Sequence, residues 1–121
     1  KPSGNDALIV IYHKTTCSTS RKVLQMIRDA GHDPVVIDYV ATGWTRAQLL
    51  GLFAAADLTP AQALRAKGTD ATERGLIGAD DEAILAAMVE NPVLVERPFV
   101  CGPGGVRLCR PVDLVAETFA R

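Results

Sequence analysis

Between Ala7 and Val40 the chain passes from an apolar run to a helical pattern and back to a β-rich run, a succession that constrains the fold more than any other feature. Ala7 to Tyr12 is continuously apolar and rich in β-branched residues, as a central strand covered on both faces would be. A polar stretch, His13 to Thr19, follows it. Val23, Leu24, Met26, Ile27 and Ala30 then recur at helical spacing, and Gly31 stands where a helix closes on a left-handed residue. After Pro34, Val35 to Val40 supplies a second strand-like run. Two strands joined by one helix form a βαβ unit, whose handedness rule makes the strands parallel. The class is therefore α/β.

The second half reads as helices, a hairpin and a helix. Thr45 caps a helix through about Ala56, with Leu49, Leu50, Leu52 and Phe53 on its apolar side, and Pro60 starts a short third helix carrying Ala61, Leu64 and Arg65. Residues 66 to 79 are loop-rich. Asp80 and Asp81 put negative charge at the start of a helix running to Glu90, where it complements the helix dipole, and Asn91-Pro92 stops it. Two β-prone pieces follow, Val93 to Val95 and Pro98 to Cys101, then the turn Gly102-Pro103-Gly104-Gly105, a strand Val106 to Cys109 and a last helix from Pro111.

Composition bounds the class of function. A length of 121 residues fits one domain, spanning residues 1–121, that buries roughly two thirds of the surface its unfolded chain exposes. Lys1 to Asp6 reads as a disordered or appended end and is left out of the fold reading. With 48% apolar and 22% charged residues the chain is neither disordered nor membrane-like. A net charge of -1 supplies no global basic field for nucleic acid, so any anion chemistry has to come from locally gathered arginines. Three cysteines, an odd number without a close-set pair, read poorly as a secreted disulfide framework and better as thiols of a reducing compartment. No leader pattern opens the chain, and the expected location is the cytoplasm.

The candidate chemistry lies at Cys17. His13-Lys14-Thr15-Thr16-Cys17-Ser18-Thr19-Ser20-Arg21 sits between the carboxyl end of a strand and the first turn of a helix, where open α/β sheets bind ligands. Helix N–H groups and the helix dipole stabilise negative charge there, so they lower a thiol pKa and can hold an oxyanion. A fall from about 8.5 to about 6.5 would raise the thiolate fraction at pH 7 from about 3% to about 75%. The nearby cations His13, Lys14 and Arg21 would push the same way, while Ser20 and Thr19 can cap the helix. A dithiol oxidoreductase would carry Cys-x-x-Cys, and Ser20 takes the place of the second thiol. A phosphatase-type phosphate loop would place Arg where Leu24 stands. Cys17 and His13 lack further ligands at workable spacing, so no metal is expected.

With His13, Cys17-Ser18-Thr19-Ser20-Arg21, Leu64-Arg65, Glu96-Arg97-Pro98 and Arg107-Leu108-Cys109-Arg110-Pro111 in the same order, the chain resembles the glutaredoxin-linked arsenate reductase family from about Ala7 to Ala120. The resemblance implies a thioredoxin-like fold, a central mixed β-sheet flanked by helices, with a helical insertion between the βαβ half and a C-terminal ββα half. It implies that Cys17 is the nucleophile and that Arg65, Arg97 and Arg110 hold the arsenic oxyanion. Guanidinium groups suit a tetrahedral oxyanion because they meet its oxygens with rigid, paired donors. Arg107 reads instead as a surface ion-pair residue. No tightly bound cofactor is implied; glutathione would be a co-substrate and glutaredoxin the partner. By the same resemblance Pro98 is expected to be cis. One departure stands out: Lys14-Thr15 occupies the place where family members commonly show Asn-Pro.

Three rival readings keep the thiol and change its use. One is a glutathione-dependent thiol reductase of the same fold with another substrate, which would not need the whole arginine set. Another is a redox regulator that contacts RNA polymerase; such proteins carry Cys-x-x-Cys, and Ser20 removes that switch. In the third, Cys101 and Cys109, eight residues apart across a Gly-rich turn, form a relay with Cys17. Buried core thiols are the plainer account of that pair.

Overall fold

A computed structural model describes residues 8–120, so the expectation for Lys1 to Asp6 lies outside the described residues. Two compact units make up the chain, one of Lys1–Asp38 with Arg97–Arg121 and the other of Tyr39–Glu96.

The first unit is built on a four-stranded mixed sheet. Its strands are β1 (Val10–His13), β2 (Val35–Asp38), β3 (Phe99–Gly102) and β4 (Gly105–Leu108), in the order β2-β1-β3-β4. β1 runs parallel to β2, in the register Val10↔Val35 to His13↔Asp38, as the βαβ rule requires. On its other side β1 is antiparallel to β3, with Val10 opposite Cys101 and Tyr12 opposite Phe99. Helix α1 (Ser18–Asp29) returns the chain between β1 and β2. Its Ser20, Val23 and Ile27 share one face and are buried. Val23 and Ile27 pack with Ile9, Ile11, Val100, Cys109 and Val115 into one core on that face of the sheet. Fully burying an aliphatic side chain of this kind stabilises by roughly 1.5–3 kcal/mol.

The last segment, Val112–Thr118, is a 3₁₀ helix and not the α-helix the sequence suggests. Val112, Val115 and Thr118 recur at a spacing of three, which matches three residues per turn and sets them on one face. The Thr118 hydroxyl closes the segment by donating to the Val115 carbonyl at 2.7 Å.

The second unit is largely helical. Its elements are the single turn α2 (Tyr39–Thr42), α3 (Arg46–Ala56) and α4 (Asp81–Glu90). Thr45 and Gln48 form a reciprocal capping box at the start of α3, where the sequence places a cap, and Asp80, which the sequence gives only as charge at the helix start, accepts the Ala83 N–H at the start of α4. Three expectations fail here. The strand beginning at Val35 stops at Asp38, because Tyr39 is buried with its ring against Trp44 and its hydroxyl donating to the Val95 carbonyl at 3.1 Å. Pro60 does start a turn, capped by Thr59 and Gln62, but no helix follows, because Leu64 leaves to pair with Val95. Pro92–Leu94 is a 3₁₀ turn with Pro at its start, so only Val95 of the expected strand pairs.

Candidate active site

Strand β1 ends at His13, and the chain reaches α1 through a short turn closed by the Cys17 N–H donating to the Lys14 carbonyl at 3.0 Å. Cys17 is the N-cap of α1, with extended backbone at φ -93° and ψ 121°. The first turn of the helix holds no acidic residue, so nothing there competes with a thiolate for the helix N–H groups.

The thiol itself is half-buried, and burial opposes its ionisation. The Ser20 N–H, the charge and hydrogen bond of Arg97 and the Thr19 N–H together outweigh that penalty, so the Cys17 pKa lies below its ordinary value. Arg97 is 6% exposed and directly precedes Pro98, whose peptide bond is cis, as expected. Arg110 donates from Nη1 to the Arg97 carbonyl at 2.8 Å, which ties the two arginines into one structure. Its own bond to Pro111 is also cis.

His13 takes a different part from the one the sequence suggests. It is 5% exposed, and burial, aided by the charges of Arg21 and Arg28, outweighs Asp38 and lowers its pKa. It is therefore mainly neutral at pH 7 and does not supply the expected positive charge to Cys17. What it supplies is structure: Nδ1 and the Ser20 hydroxyl lie 2.6 Å apart in a hydrogen bond, and the same hydroxyl oxygen accepts the Lys14 N–H at 3.1 Å. The expected cations Lys14 and Arg21 are likewise turned to the loop. Lys14 Nζ donates to the Thr16 hydroxyl and Arg21 Nη1 to the Thr15 carbonyl at 2.9 Å. Neither figures among the groups that lower the Cys17 pKa, a role that falls to Arg97 and two backbone N–H groups.

Arg65 lies in the second unit, in the turn after the Leu64–Val95 bridge and not on a helix. Nη1 donates to Glu96 Oε1 at 2.8 Å and Nε to the Lys67 carbonyl at 3.1 Å. Arg107 is the surface ion pair the sequence suggests, with Nε donating to Glu117 at 2.9 Å.

Cys101 and Cys109 do not form a relay geometry. Cys101 is opposite Val10, whereas Cys109 packs with Ile11 and Val100, which alternate with Val10 and Cys101 and so point to the other face of the sheet. Burial raises the Cys101 pKa and pushes Cys109 up to about 12, the latter despite the nearby Arg107, so both stay protonated thiols at neutral pH. Among the described residues no group of three His, Cys, Asp or Glu is placed to hold a metal ion. No helix among them is long and apolar enough to cross a membrane.

Comparison with known proteins identifies the family and the fold. The ArsC family model matches residues 12–118. The arsenate reductase ArsI2 of Synechocystis sp. is 58% identical over 91% of this chain and 80% of its own length. An arsenate reductase of Rhizobium meliloti is 48% identical over 90% of this chain and 79% of its own. Among solved structures, an arsenate reductase from Vibrio cholerae superposes with a TM-score of 0.87 at 35% identity, covering 94% of this chain and 99% of that one. The expected thioredoxin-like α/β fold is the fold of that structure.

Proposed function

The chain belongs to the ArsC family, and we propose that it reduces arsenate to arsenite with Cys17 as its single redox thiol, drawing electrons from glutathione and glutaredoxin. Arsenate reductase activity is what its relatives at 58% and 48% identity are named for. The observation that carries the single-thiol reading is the depressed Cys17 pKa beside Arg97, set against two other thiols that burial keeps protonated.

In the proposed reaction the Cys17 thiolate attacks the arsenic of bound arsenate, and one arsenic oxygen leaves as water after protonation. Arg97 and Arg110 draw the oxyanion and offset its charge, and Arg65 is the third arginine of the set that the resemblance implies. Ser20 has no thiol with which to resolve the resulting sulfur–arsenic(V) adduct, so a glutathione thiolate supplies the second sulfur. Arsenic takes up two electrons to become arsenite, two thiols are joined as a disulfide, and glutaredoxin reduces that disulfide. Three free cysteines suit a reducing compartment, and we place the protein in the cytoplasm.

The test keeps Cys17 as the only thiol. A Cys101→Ser, Cys109→Ala double variant is expected to turn over arsenate within about threefold of the parent with glutathione and glutaredoxin, and at background with thioredoxin and its reductase. Loss of turnover in a variant that remains folded would overturn the single-thiol scheme, and equal turnover with thioredoxin would overturn the choice of donor.

A further inference from the structure

Cys17 has two kinds of cation near it, all within the first unit. Arg97, almost wholly buried, acts on the thiol itself. Lys14 and Arg21 belong instead to the outer loop: Lys14 Nζ donates to the Thr16 hydroxyl and Arg21 Nη1 to the Thr15 carbonyl at 2.9 Å, and Thr15, Thr16 and Arg21 are exposed. Those bonds hold both cationic ends against the two residues that precede Cys17 and leave most of their donors open, since an ammonium carries three N–H groups and a guanidinium five. Among the described residues neither pairs with a carboxylate, whereas Arg46, Arg65, Arg74 and Arg107 each do. From His13 to Arg28 the sequence carries no acidic residue, although the whole chain has a net charge of -1. A local positive field thus stands over the exposed side of the loop, and the lowering of the Cys17 pKa does not use it.

We propose that Lys14 and Arg21 form a carboxylate-binding subsite for glutathione, the tripeptide thiol that meets Cys17 in the second half of the reaction. This rests on the reading of glutathione as the electron donor. Arsenate is compact, and to react its arsenic must lie against Cys17 Sγ, where Arg97 draws it. Glutathione is longer. Its two carboxylates lie several bonds from its sulfur, so with the sulfur at Cys17 they extend outward over the loop, where the two cations are held. An ammonium meets a carboxylate as a point charge and a guanidinium meets it with paired donors. The attraction raises the local concentration of an anionic thiol, turns its sulfur toward Cys17 and disfavours thiols without a carboxylate. Both pairs are exposed to solvent, so each contributes a modest factor.

The test is a single turnover without glutaredoxin, in which protein saturated with arsenate is mixed with glutathione and the released arsenite is read against glutathione concentration. The half-saturating glutathione concentration is expected to rise about threefold in Lys14→Gln and in Arg21→Gln, and about tenfold in the double variant. The half-saturating arsenate concentration is expected to stay within about twofold. Glutathione diethyl ester keeps the thiol and loses both negative charges. The parent should need about tenfold more of the ester than of glutathione, and the variants should treat the ester as the parent does. An unchanged glutathione dependence in the double variant overturns the subsite. So does a loss for the ester in step with glutathione, which would mean that the shape of the loop matters and not its charge, or an equal rise for arsenate, which would give the cations to the oxyanion. If the parent releases no arsenite with glutathione at any concentration, the donor reading itself falls, and the subsite falls with it.

Discussion

Cys17→Ser is expected to lower arsenate turnover by at least about a thousandfold while leaving the fold intact. A serine hydroxyl in the same place stays protonated at neutral pH, and the helix N–H groups and Arg97 that suffice to lower a thiol pKa are far from sufficient for an alcohol. No other thiol can substitute, since Cys101 and Cys109 are held protonated by burial. The structural cost is small. Cys17 is an N-cap whose side chain makes no capping hydrogen bond, and serine is among the best residues at that position. The variant should therefore unfold at or slightly above the temperature of the parent. Steady-state assays beside thermal unfolding read both quantities, and loss of activity together with loss of fold would show that Cys17 holds the structure and not the chemistry.

Gly102→Ala is expected to be the most damaging small change to stability, at about 3 kcal/mol or more, with Gly104→Ala close behind. At neither position is a left-handed backbone the reason. The reason is space: a Cβ on Gly102 would stand 2.1 Å from the Thr118 carbonyl oxygen, and one on Gly104 would stand 2.2 Å from that of Glu117 and 2.5 Å from that of Ala120. These are backbone atoms of the closing segment, which cannot turn aside as a side chain would. Yielding to the methyl group moves that segment, costs the Gly104 N–H its bond to the Thr118 carbonyl, and lifts Val115 from the core. Gly51→Ala is the control. It lies within α3 with nothing near its would-be Cβ, so alanine there should stabilise by about 0.5–1 kcal/mol. Denaturant unfolding of the three variants tests the assignment, and a Gly102→Ala protein as stable as the parent would refute the close approach.

What the sequence made legible follows from how local each signal is. The βαβ half was readable because its apolar period changes from strand to helix to strand within a short stretch, and the cap at Thr45 and the acidic start of the helix at Asp80 were readable because both are set by nearest neighbours. The turn at Pro60 was local too, but its failure to continue as a helix was decided by Val95, far along the chain. The same holds for Tyr39, whose burial against Trp44 ends a run that its β-propensity would have extended. The position of the thiol was plain from strand, polar loop and helix. Its supporting cast was not, because counting nearby cations cannot show that burial keeps His13 neutral or that Lys14 and Arg21 turn to the loop. Arg97 is distant in sequence, and only the family resemblance signalled it before the structure set it beside Cys17. The pairing of Arg65 with Glu96 had no sequence signal beyond opposite charge.

The pH dependence of iodoacetamide alkylation in the Cys101→Ser, Cys109→Ala protein, where Cys17 is the only thiol, reads whether the fold makes Cys17 an activated thiolate. The midpoint is expected below the ordinary cysteine value of about 8.5 and should rise when Arg97 is replaced by Met. A midpoint at or above about 8.5, unmoved by the loss of Arg97, would contradict the account.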